Sequence, residues 1–145
     1  MLSSRAKVLT YIGLFCSIIT MLFRALPSII PFSFYTYNLV NELYEIGEVV
    51  SFGLYLVLLI LSVAFLFMDK KQGESTSMHR SLIIYTVLYV VGIRGVAPLC
   101  FPITALTSAI NNKKNGIGSK SDTVLVVVAG ITVALVLILF AAMAL

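Results

Sequence analysis

The stretch Thr123–Leu145, TVLVVVAGITVALVLILFAAMAL, runs for 23 residues without a charged side chain. At ~1.5 Å rise per residue, a helix of about 20 apolar residues covers a hydrocarbon core of roughly 30 Å. Three further stretches of similar character precede it. Together they predict an all-α, polytopic membrane protein: a bundle of four transmembrane helices over approximately 6–26, 46–68, 81–110 and 123–145.

Composition points the same way. Hydrophobic residues make up 60% and charged residues 11% of the 145 residues, with a mean hydropathy of +1.07, whereas soluble domains carry about 25% charge. Four crossings and their loops use the chain as one transmembrane domain, 1–145, and leave no room for a separate soluble unit. The net charge of +4 comes from short loops beside apolar runs, where lysine and arginine mark orientation and meet anionic lipid. No loop is long enough to offer nucleic acid a basic face.

The N-terminal region imitates a secretory signal, because Arg5 and Lys7 precede the apolar run Val8–Phe23. That run exceeds the usual h-region of about 7–15 residues. It ends in Arg24-Ala25-Leu26-Pro27, without small residues at the two cleavage positions, so a retained first helix is expected. Cys16 and Cys100 both lie in apolar runs. Helical rise puts Cys16 ~14 Å beyond Lys7 and Cys100 ~30 Å beyond Arg80. Those depths differ too much for a disulfide, which needs Cα atoms within about 7 Å; two buried thiols acting as small hydrophobes are expected.

Pro27 is expected to end the first helix, since proline lacks a donor and disfavours helix before it. The following segment, with Phe32, Phe34, Tyr35 and Tyr37, is too broken by Pro27 and Pro31 to span. Its rings suit the headgroup level, and an aromatic-rich lid is predicted. A second helix starts near Asn38 and opens with Glu42, Glu45 and Glu48, favoured near a helix N-terminus by the dipole. Asp69-Lys70-Lys71 and Gly73 stop it. Small pairs at Gly13/Ser17, Gly47/Ser51 and Gly130/Ala134 suggest faces where backbones approach closely.

The third run, 81–110, contains one charge, Arg94, and two prolines, Pro98 and Pro102. It either crosses with a kink near Pro98 or dips in and returns on the same side. Irregular backbone at membrane depth is tolerated only under cover of protein or a wet cavity. With the N-terminus inside, four crossings put five lysines and arginines inside and four outside; a re-entrant third run puts eight inside and one outside. The charge rule favours the second arrangement. Complete spans are the commoner form, so four are expected, with both termini on the cytoplasmic side and Asp122 capping the last helix.

One charge cluster needs an explanation. An arginine at the midplane costs between ~2.5 and ~17 kcal/mol by different estimates, so Arg94 needs a partner or water. Helical rise places it ~21 Å from Arg80 and places Glu48 ~31 Å from Asp69, a gap a snorkelling arginine largely closes. Arg24 ends the first span at a similar level, and Glu42, Glu45 and Glu48 share an arc of roughly 120° on one helix face. Arg24 and Arg94 facing these carboxylates read first as ion pairs joining helices, with Glu48 the expected partner of Arg94. An ion or ligand site and a contact with a partner subunit are the alternatives.

His79, the sole histidine, reads as a solvated loop residue and excludes paired-histidine haem ligation within the chain. There is no glycine-rich phosphate loop, metal-ligand spacing or nucleophile–base pair, so no cofactor, metal or enzymatic activity is expected. The sequence thus predicts a non-enzymatic accessory or structural subunit that binds and stabilises another membrane protein. Its partners would be membrane lipids and either another integral membrane protein or a second copy, in the plasma membrane rather than an organelle. A small homo-oligomeric transporter or channel, with the Arg/Glu cluster on its path, is the alternative from a different class.

Overall fold

The computed structural model describes residues 4–29, 37–74, 76–93, 95–115 and 120–144. Most of the expected lid, including Phe32, Phe34 and Tyr35, lies outside the described residues, as does Arg94. Among them the chain forms only helices: α1 (Ser4–Ile29), α2 (Tyr37–Lys71), α3 (Ser77–Val91), α4 (Val96–Asn115) and α5 (Lys120–Ala144). Three stretches are long and apolar enough to cross a membrane, Ser4–Ser28, Asn38–Lys71 and Lys120–Ala144, and α3 is a shorter apolar helix. Their outer faces are apolar, with Ile60 and Phe67 of α2 and Ile131 and Ile138 of α5 all more than half exposed. Apolar surface of that extent is at odds with water and fits lipid, so the chain is an integral membrane protein.

The expected four-span bundle is not confirmed, because the third run, expected to be kinked or re-entrant if not a simple span, is two helices. The break falls at Gly92, not at Pro98. Gly92 has φ of 122°, a conformation L side chains rarely adopt, and its N–H bonds back to Leu88 and Tyr89 carbonyls. Pro98 instead sits in the first turn of α4, where a missing donor leaves no bond unmade. Pro27 likewise lies inside α1, which continues to Ile29. α3 and α4 then run antiparallel: the Tyr85 hydroxyl meets Thr104 Oγ1 at 2.7 Å, and the Tyr85 ring meets Phe101 edge-on at 6.0 Å.

That extra reversal decides which ends meet. Arg5 of α1 contacts Asp69 of α2, which contacts His79 of α3, while Lys7 contacts Asp122 of α5, which bonds Asn112 of α4. Eight of the ten lysines and arginines, Arg5, Lys7, Lys70, Lys71, Arg80, Lys113, Lys114 and Lys120, therefore gather at one end of the bundle, the basic end. α1 begins there and α5 finishes at the opposite end, so the expected same-side termini are corrected.

α1 is the helix the others enclose: 50% of its span is buried within the chain, against 22% for α2 and for α5. α2, α3, α4 and α5 form an arc in that order with α1 in its hollow, and no Cα of α2 comes within 8 Å of one of α5. The core around α1 contains Leu9, Leu14, Tyr55, Leu58, Leu82, Tyr89 and Phe101, with Tyr55 and Tyr89 ring centroids 4.2 Å apart. A Cβ at Gly13 would run into the Phe101 ring, and one at Gly47 into Cβ and Cγ of Phe23. Glycine at these two positions is what lets α4 and α2 close on α1. Nearer the opposite end, Met21 and Ala25 pack with Val136 and Leu139. Four of the buried hydroxyls need no neighbouring helix: Thr10, Ser17, Ser62 and Thr86 each donate to the carbonyl four residues earlier. Both cysteines are free; Cys16 is buried as expected, and Cys100 is exposed instead.

Candidate functional site

Ionic side chains inside this bundle concentrate at its two ends. At the basic end α2 stops at Lys71, and Gly73, at φ 74°, turns the chain so that the Glu74 N–H reaches the Asp69 carbonyl at 2.9 Å. The turn leaves the Asp69 side chain pointing inward, fully buried. Arg5 Nη1 lies 2.9 Å from its Oδ1 and His79 Nε2 lies 2.8 Å from its Oδ2. The same guanidinium nitrogen donates to Gln72 Oε1 at 3.0 Å. Three helices thus share one carboxylate.

A second knot lies beside it. Asp122, in the first turn of α5, is 3% exposed; its Oδ1 sits 2.9 Å from Lys7 Nζ and accepts from Asn112 Nδ2 at 2.8 Å. Lys7 Nζ also donates to Ser121 Oγ at 3.2 Å. The expected capping residue is therefore a junction of α1, α4 and α5. Carboxylates taken out of water are tolerable only when paired and hydrogen-bonded, and both aspartates meet that condition through residues of other helices.

The expected solvated state of His79 is overturned: it is the third residue of α3 and fully buried. Its Nδ1 has no hydrogen-bond partner among the described residues. Burial lowers the imidazole pKa, and the Asp69 carboxylate opposes that shift.

The predicted cluster is brought together only in part. Arg24 Nε meets Glu48 Oε1 at 3.4 Å, with side chains 16% and 22% exposed, and its guanidinium carbon lies 5.9 Å from the Tyr89 ring centre. Glu42 and Glu45 do not join them; they are exposed on the first turns of α2. At 35 residues α2 is ~52 Å long, and its opening turns carry exposed Leu39, Tyr44 and Ile46 as well. The expected pairing of Glu48 with Arg94 falls outside the described residues; among the described residues Arg24 is a cation at Glu48.

Asp69, His79, Asp122, Arg5 and Lys7 were not singled out by the sequence as a site. The signal that could have found them is the lysine and arginine count. An eight-to-one split requires the N-tail, the 70–80 loop and the 113–120 loop to share a side, which places both aspartates beside the basic N-tail.

Among the described residues no three histidine, cysteine, aspartate or glutamate side chains converge to hold a metal ion. Chemically, the arrangement fixes helices: among the described residues α1 supplies the lysine or arginine of three inter-helix carboxylate pairs, two to α2 and one to α5. No protein-family model, curated protein or solved structure matches this chain.

Proposed function

We propose that this protein is a non-enzymatic accessory subunit that binds and stabilises another integral membrane protein. The observation that carries this reading is the uncovered side of α1. Because α2 and α5 flank α1 without their backbones closing on each other, Val8, Phe15 and Leu22, seven residues apart, stand 48%, 57% and 42% exposed. A seven-residue apolar repeat is the spacing with which one helix meets another along a seam. The buried charges, by contrast, are engaged in holding the bundle itself together. The positive-inside rule orients the basic end toward the cytoplasm and Glu42 and Glu45 outward, in a plasma membrane.

The test is purification from native membranes in mild detergent and mass measurement of the intact species. A stoichiometric complex with a different polypeptide, lost on Phe15→Ala while the purified chain keeps its helical circular dichroism, supports the reading. Transport is the second reading, favoured by one observation: the hydroxyls of Thr20 and Tyr55 are polar groups buried together inside the bundle. A homo-oligomer alone, with ion or solute flux in liposomes that disappears on Glu48→Gln, overturns the subunit reading in favour of transport.

A further inference from the structure

At the basic end, α4 and α5 leave an open cleft of about 420 Å³ between Ile110, Lys113 and Lys114 of α4 and Val126 of α5. Its lining divides by chemistry. Ile110 and Val126 form an apolar wall on the side of the hydrocarbon, and the two lysines stand over it at the water-facing limit of α4. Both lysines are exposed, and neither forms a salt bridge among the described residues, unlike Arg5, Lys7 and Arg24.

We propose that this cleft holds an anionic phospholipid, with an acyl chain against Ile110 and Val126 and the headgroup phosphate between Lys113 and Lys114. Two features of the cleft favour a lipid over a free anion. Ile110 is itself one of the exposed apolar residues of the bundle's outer face, and the two lysines stand in the last turn of α4, beyond it toward the basic end. Two adjacent ammonium groups attract phosphate as point charges, and basic residues near a bilayer surface draw acidic lipid. The other exposed lysines of this end, Lys70 and Lys71 at the end of α2 and Lys120 at the start of α5, share the general attraction but do not line this cleft.

The proposal is tested on the full chain in mild detergent by native mass spectrometry, titrating phosphatidylglycerol against phosphatidylcholine. Phosphatidylglycerol should be retained roughly 30-fold more strongly, the attraction of two basic residues near the surface. Lys113→Gln with Lys114→Gln should bring it down to the phosphatidylcholine level. Lys70→Gln with Lys71→Gln should leave retention unchanged, and Ile110→Trp, which fills the cleft and keeps both lysines, should abolish it. Equal retention of the two lipids overturns the proposal, as does an equal loss in the Lys70/Lys71 variant, which would mean diffuse attraction without a site. Displacement by millimolar inorganic phosphate together with no effect of Ile110→Trp would identify a free-anion site and overturn it too.

Discussion

At the basic end, Asp69 and Asp122 draw three helices apiece into contacts of 2.8 to 2.9 Å, whereas at the opposite end Arg24 and Glu48 meet at 3.4 Å while Glu42 and Glu45 stand in the open. Asp69 is fully buried and Glu48 is 22% exposed. Burial, more than the number of charges, sets what each pair does. A carboxylate that cannot reach water requires its partners; one that can reach water contributes about 0–1 kcal/mol through its pair. The opposite end is held instead by shape, with the Phe23 ring against Gly47 and Met21 and Ala25 against α5.

The sharpest way to break this comparison is to ask which residues share an end. In a cysteine-free background, single cysteines at Glu74 and Lys120 should react alike with an impermeant reagent, and Glu42→Cys should react from the other side only. Labelling that separates positions 74 and 120 would restore four simple spans.

Energetic contrast comes next. Asp69→Leu leaves Arg5 and His79 without their carboxylate and should lower stability by about 3 kcal/mol, the low end of the range for a broken buried pair, since Arg5 is 30% exposed. Glu48→Gln should lose less than about 1 kcal/mol. Thermal unfolding in detergent reads both, and similar losses would refute the difference between the ends.

If shape holds the opposite end, Gly47→Ala should be worse than Glu48→Gln although it adds one methyl. The new Cβ meets Cβ and Cγ of Phe23, and overpacking of that kind costs about 1–3 kcal/mol. A Phe23→Ala partner substitution should recover part of the loss; a Gly47→Ala variant that melts like the parent would remove packing from the account.

The smallest expected effect is a pH dependence confined to the basic end. With its pKa lowered in the folded chain, mainly by burial, His79 binds a proton less readily folded than unfolded. Its contribution to stability is therefore complete above the ordinary histidine value of 6.5 and declines as the pH falls below it. His79→Leu should flatten that decline in melting temperature between pH 7 and 5. An unchanged slope would assign it to other groups.

The apolar runs were legible in the sequence because hydrophobic length is a property of consecutive residues. Arg24 and Glu48 were legible too, since helical rise fixes their depth. The Gly92 break was not. Prolines are the louder signal, yet Pro98 falls where a helix start accepts it, and a glycine within Val90-Val91-Gly92-Ile93 looks like one more small residue. Asp69 and Asp122 read as punctuation at helix ends, which they are, but their partners lie on helices distant in sequence. No local periodicity reports such a pairing; only the side on which loops fall does.

In the lysine and arginine ion pairs described above, the cation always comes from α1, the earliest of the five helices to be synthesised, and the partners are spread across the chain. Asp69 follows with α2, but Asp122 emerges only with α5. Domains form from their N-terminal side during synthesis, and contacts between remote segments close late. Up to that moment Lys7 is solvated at the basic end, and Asn112 lacks the carboxylate it will donate to. A nascent chain arrested before residue 120 is thus a four-helix intermediate whose first helix still shows lipid the surface of Met21 and Ala25 that Val136 and Leu139 later cover.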